Sequence, residues 1–186
     1  MQRAPDFTGS YLTRFRQVWL RHGLPGALLG LLCLAHPEMR LMLEASLDAL
    51  LSDPVKYLSG ALLILGVLIS YVWLVDHALD ARAVGWVLYA LAISVWEEWV
   101  FRLAVPYFAQ AQGANLLVAV VLSNLAFGVL HYFTLRWKWQ WCFGAFVGGM
   151  LFSRMLHTHS DLALVIAVHW ISTFLNTPRP PGVPTR

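Results

Sequence analysis

Charge is what this chain has least of. Only 12% of its 186 residues are Asp, Glu, Lys or Arg, about half the roughly 25% typical of a soluble domain. Too little polar surface exists to cover a water-soluble globule, which excludes an ordinary cytosolic enzyme and a disordered chain. Cysteine is just as scarce. Cys33 and Cys142 lie in apolar stretches without partner spacing, so neither a disulfide scaffold nor a zinc framework is indicated. The net charge of +3 and the pI near 9.1 could suggest nucleic acid, but no basic stripe gathers on one element, so nucleic acid is not expected as a partner. No period-2 alternation runs long enough for a membrane strand. No internal repeat and no long linker divides the chain.

What is present is hydrophobic length: 59% apolar residues and a mean hydropathy of +0.62. The composition predicts an all-α, polytopic transmembrane bundle forming a single membrane domain over residues 1–186. Five strong segments stand out: Pro54–Val75, Ala83–Phe108, Asn115–Phe133, Trp139–Leu156 and Asp161–Thr177. Their lengths suit helices crossing a hydrocarbon layer of about 30 Å. A shorter apolar run, Leu24–Ala35, follows Arg3, Arg14, Arg16 and Arg21. No small-x-small cleavage site follows it, so it reads as a retained first segment rather than a signal peptide. Residues 38–51 place Met39, Met42, Leu43, Leu47, Leu50 and Leu51 at helical spacing with Glu38, Glu44 and Asp48 among them, as an interfacial amphipathic helix would. The tail 178–186 reads as disordered.

Six alternating segments would put Arg3, Arg14, Arg16, Arg21, Arg82, Arg136, Lys138, Arg179 and Arg186 on one side, against Arg40, Lys56 and Arg154 on the other. That bias predicts an integral membrane protein with both termini cytoplasmic. Trp137, Trp139 and Trp141 beside Arg136 and Lys138 read as an interfacial aromatic belt.

The acidic pair Glu97-Glu98 breaks the pattern, because fourteen uncharged residues precede it inside a spanning segment. A charge at mid-helix costs roughly 2.5–3.5 kcal/mol on insertion scales. Glu98 and Arg102 are four apart and can pair along one helix face. Glu97 lies about 100° around the helix and has no partner on its own segment. His131 and His169, each inside another apolar segment, are the candidates to hold it. A Glu, an imidazole and a water would make a general-base site. Singly, either histidine could be only a polar helix contact, and the Glu–Arg pair only a packing lock. His22, His36, His77, His157 and His159 flank segments and read as interfacial. Zinc held by Glu97, His131 and His169 is the less favoured alternative to a cofactor-free site.

At these residues the sequence resembles the CPBP intramembrane proteases (CAAX protease and bacteriocin-processing, or Abi, family), which include the Rce1-type prenyl-protein endopeptidases. The motif Glu-Glu-x-x-x-Arg appears as EEWVFR from Glu97 to Arg102, Phe-x-x-x-His as FGVLH from Phe127 to His131, and a variant of His-x-x-x-Asn begins at His169 in HWISTFLN. The resemblance covers roughly residues 83–177, the expected catalytic core. It implies a glutamate-dependent, metal-free protease. Glu97 and His131 would activate water, Glu98 and Arg102 would hold the constellation, and His169 would donate to the oxyanion. At the position of the family's Asn stands Thr173, while Asn176 lies seven residues after His169, so either could serve as the second oxyanion donor. The expected partners are the lipid bilayer and a membrane-anchored protein or peptide cleaved near its anchor: a CAAX-type C-terminus, a sorting tail or a leader peptide. Two other readings suit buried Glu and His: a non-catalytic membrane immunity or partner protein of the same fold, and a proton-coupled transporter.

Overall fold

The computed structural model describes residues 1, 12–77 and 79–181, and every regular element among them is helical. Helix α1 spans Phe15–Cys33 and meets α2, Pro37–Ser46, at a bend of 107°. Pro37 explains the break. It opens α2, and the preceding His36 is pushed into extended backbone (φ −83°, ψ 122°). A short α3, Asp48–Ser52, leads into α4, Pro54–Asp76. Helix α5 runs unbroken over Ala81–Ala111, followed by α6 at Leu116–Thr134, α7 at Trp139–His159 and α8 at Leu162–Asn176. The five strong segments of the sequence are therefore all helices.

Among the described residues three helices are long and apolar enough to cross a membrane, α4, α5 and α6, or four if the bent α1–α2 pair counts as one span; α8 is apolar but shorter. The expected amphipathic segment 38–51 forms α2 and α3. Its Met39 is fully buried against Trp99 and Val100, while Leu41 and Leu51 stay exposed. Arg3 of the expected basic N-terminus and residues 182–186 of the expected disordered tail lie outside the described residues. The earlier part of that tail is in place: the Pro181 carbonyl accepts a hydrogen bond from Arg82. Cys33 and Cys142 are both buried and are not joined to each other.

Helix starts follow local chemistry. The side chains of Asp53, Asp80, Asn115 and Asp161 accept hydrogen bonds from the backbone N–H groups of Lys56, Ala83, Val118 and Leu164, at 3.2, 2.7, 2.9 and 2.9 Å. Each satisfies a donor that the first turn leaves without a helical partner.

Among the described residues two stretches leave the α register. Trp19–Gly23 in α1 and Trp99–Ala104 in α5 are π-helical, and each lies just before a proline, Pro25 or Pro106. In α5 the Val105 N–H bonds to the Val100 carbonyl, five residues back. The next donor in that register would be Pro106, which has no N–H, so the Phe101 carbonyl would lack its partner. Ser123 of α6 supplies one, its hydroxyl donating to the Phe101 carbonyl at 2.6 Å. The register shift is thus locked by a neighbouring helix, a common device where a helix must re-aim side chains.

Helices α6 and α7 approach closely because of glycine. A Cβ on Gly128 would sit 2.7 Å from the Cys142 backbone carbonyl, too near for any side chain. Gly128→Ala is therefore expected to lower stability by about 1–3 kcal/mol, read as a drop in the unfolding midpoint in detergent. Gly60→Ala, with nothing within 4 Å of its Cβ, should leave the midpoint unchanged or slightly raised.

Candidate active site

Adjacent residues on an α-helix point about 100° apart, so Glu97 and Glu98 at the end of the α-helical part of α5 face different neighbours. Both are buried, with Arg102, Asn124, His131 and His169 around them. Glu98 is the structural half. Its Oε2 lies 3.1 Å from Arg102 Nε, and its Oε1 lies 2.6 Å from His169 Nδ1. The Arg102 guanidinium also stacks over the Phe127 ring at 4.4 Å, a favourable placement for a desolvated cation. Asn124 donates to the Val120 carbonyl and to the Ser153 hydroxyl, both at 2.9 Å. A Cβ on Gly149 would collide with Asn124 Oδ1 and crowd Arg102 Nη2, so a glycine is required where α7 passes this network.

Glu97 is the half that faces three imidazoles, each from a different helix. His22 of α1 brings Nε2 to 2.9 Å from Oε1, His131 of α6 brings Nε2 to 3.7 Å from Oε1, and His169 of α8 brings Nε2 to 3.6 Å from Oε2. The structure thus gathers Glu97, Glu98, Arg102, His131 and His169, which lie up to 72 residues apart in the chain. The spacing of the Phe-x-x-x-His motif has a direct cause. One helical turn places His131 Nδ1 at 2.7 Å from the Phe127 carbonyl. A carbonyl only accepts, so Nδ1 carries the hydrogen and Nε2 turns an unprotonated face toward Glu97 when the ring is neutral.

The site opens into a cavity of about 520 Å³. Glu97, His22, His131 and His169 sit on its wall, and Trp86, Trp137, Trp141 and Leu151 supply much of its apolar lining. Thr173 and Asn176 also line it. Thr173 is half-buried one turn beyond His169, and Asn176 is exposed at the last residue of α8.

Two residues of this site escape a sequence reading. His22, expected at the membrane interface, has its side chain only 10% exposed and makes the shortest imidazole contact to Glu97. It lies in the π-helical turn Trp19–Gly23, and its Nδ1 is held 3.0 Å from the Thr134 hydroxyl at the end of α6. The signal in sequence is Pro25, three residues on, which marks the register shift. Trp137, expected in an aromatic belt, packs on the His131 ring with centroids 4.6 Å apart. His36, His157 and His159 are exposed, as an interfacial position requires. The Tyr89 hydroxyl is buried on the cavity side without a protein hydrogen-bond partner among the described residues.

His22 Nε2, His131 Nε2 and a Glu97 carboxylate oxygen lie within 4.8 Å of one another. Two neutral nitrogens and a carboxylate are a donor set that zinc accepts. The set differs from the one expected from sequence: His22 stands where His169 was foreseen.

Comparison with family models matches residues 78–175, more than half of the chain, to a family described as type II CAAX prenyl endopeptidase Rce1-like. Comparison with curated proteins and with solved structures finds no match.

Removing one partner of the Glu98–Arg102 pair leaves a buried charge uncompensated. Arg102→Met is expected to cost about 3–5 kcal/mol, measured by thermal unfolding in detergent. The double substitution Glu98→Gln with Arg102→Met should recover much of that loss.

Proposed function

Because the chain belongs to the Rce1-like family of type II CAAX prenyl endopeptidases, we propose that it is an integral-membrane, glutamate-dependent endopeptidase acting on a membrane-anchored protein or peptide. The single observation that carries the mechanism is the Glu97 carboxylate, buried beside the cavity with the Nε2 atoms of His131 and His169 at 3.7 and 3.6 Å. Those separations exceed a direct hydrogen bond, so the facing atoms are free to share a water seated beside them on the cavity side.

In this mechanism Glu97, aided by His131, takes a proton from that water as its oxygen attacks the scissile carbonyl carbon. The carbonyl π electrons move onto oxygen, and Thr173 or Asn176 donates to the developing oxyanion; His169, whose Nδ1 hydrogen is held by Glu98, joins them from Nε2 once the water's proton has passed to it from Glu97 Oε2. Collapse of the tetrahedral intermediate breaks the C–N bond, and the departing amine takes up the proton. Glu98 and Arg102 keep His169 oriented through its Nδ1. The site is buried and apolar-walled, so each donor acts with little competition from water. The apolar, tryptophan-lined cavity supports a substrate held near its lipid anchor. Counted over six alternating segments, the excess of basic residues on one side supports cytoplasmic termini.

Zinc hydrolysis is the second reading, favoured by the convergence of His22, His131 and Glu97. It would need an open coordination position for water.

Cleavage of an anchored CAAX-type or leader peptide, followed by mass spectrometry, tests both. Glu97→Gln, His131→Ala and His169→Ala are each expected to abolish cleavage in protein that still folds, and a chelator should leave the wild type active. One tightly held zinc whose removal stops turnover would replace the metal-free mechanism. Thr173→Val and Asn176→Ala, compared side by side, identify the oxyanion donor: the one that serves should lose about 10²–10³ in kcat.

A further inference from the structure

The N-terminal helix lies outside the matched residues 78–175, yet it carries an imidazole nearer to Glu97 than either His131 or His169. Hydrogen accounting shows what this contact must hold. The Thr134 hydroxyl has one hydrogen, donated to the Leu130 carbonyl at 2.8 Å. The same oxygen lies 3.0 Å from His22 Nδ1 and fixes that edge of the ring. A lone pair and a carboxylate oxygen do not sit 2.9 Å apart without a hydrogen between them. The His22–Glu97 contact therefore contains one proton.

Of the three rings, His22 makes the shortest contact to Glu97, and it does so from the cavity wall.

We infer that His22 is a positioning residue of the peptidase reaction: held by the Thr134 hydroxyl at one ring nitrogen, it hydrogen-bonds Glu97 with the other and fixes Oε1, leaving Oε2 toward His169 to receive the proton of the attacking water. The inference rests on the endopeptidase reading above. The N-terminal helix is then part of the working site, and the matched region alone would lack the group that positions its base.

The test uses the full-length protein in detergent or liposomes with the anchored peptide substrate. His22→Ala is expected to lower kcat about 10²–10³-fold with KM within about twofold. Added imidazole should restore part of that kcat, a response that a packing defect would not give. Thr134→Val keeps the ring and Glu97 but removes the hydroxyl that holds Nδ1, so it remains informative if His22→Ala does not fold. It should lower kcat about five- to tenfold at an unchanged unfolding midpoint. Wild-type kcat in folded His22→Ala or in Thr134→Val, alongside an inactive Glu97→Gln, would overturn this inference and leave the endopeptidase reading standing. Activity in Glu97→Gln would remove the reading itself. A stoichiometric zinc lost on His22→Ala would place a metal, not a proton, between the two groups and also overturn it.

Discussion

A carboxylate surrounded by imidazoles in an apolar interior is the constraint to which the rest of the molecule answers. Glu97 could not remain there alone as an anion, because an isolated buried charge loses far more hydration than a helix can return. Its partners come from α1, α6 and α8, so the charge is tolerated only when four helices are assembled. The neighbouring Glu98 faces the other way and is neutralised by Arg102 and bound by His169. His169 thus lies beside both carboxylates and ties the one paired with Arg102 to the one that faces the cavity. A disturbance at Arg102 would reach Glu97 through that ring.

The backbone is shaped to permit this. Two π-helical turns, each ahead of a proline, re-aim the segments that carry His22 and Arg102. Ser123 satisfies the carbonyl opposite Pro106, so the irregularity leaves no buried polar group unmet at that point. Glycines at positions 128 and 149 let α7 come close enough to wall the site. Aromatic rings complete it: Phe127 lies against both the Arg102 guanidinium and the His131 ring, and Phe152 against the His169 ring. These rings exclude water, which strengthens every electrostatic contact inside.

Much of this was legible in one dimension. The apolar segments marked the helices, and an acidic pair inside one of them marked the place where function had to be sought. The interval from Glu98 to Arg102 is one helical turn, so their pairing followed from helix geometry alone. His131 and His169 stood out as imidazoles within otherwise apolar runs. His22 did not. It lies near the start of its segment among arginines, where a histidine ordinarily meets headgroups, and it is buried through a hydrogen bond to Thr134, 112 residues away. Trp137 was hidden for a similar reason: its neighbours Trp139 and Trp141 are exposed, and only the turn after α6 folds Trp137 back over His131.

By itself the sequence determined that these helices form, that they bury an acid pair, and which face of each helix carries a titratable group, because those properties depend on composition and on a fixed angular step per residue. Only the tertiary structure decided which imidazole meets which carboxylate oxygen, and that the N-terminal helix takes part at all. The rotation of one helix against another is set by glycine contacts, register shifts at prolines and hydrogen bonds between distant segments, and a linear pattern of residues carries none of these as a period.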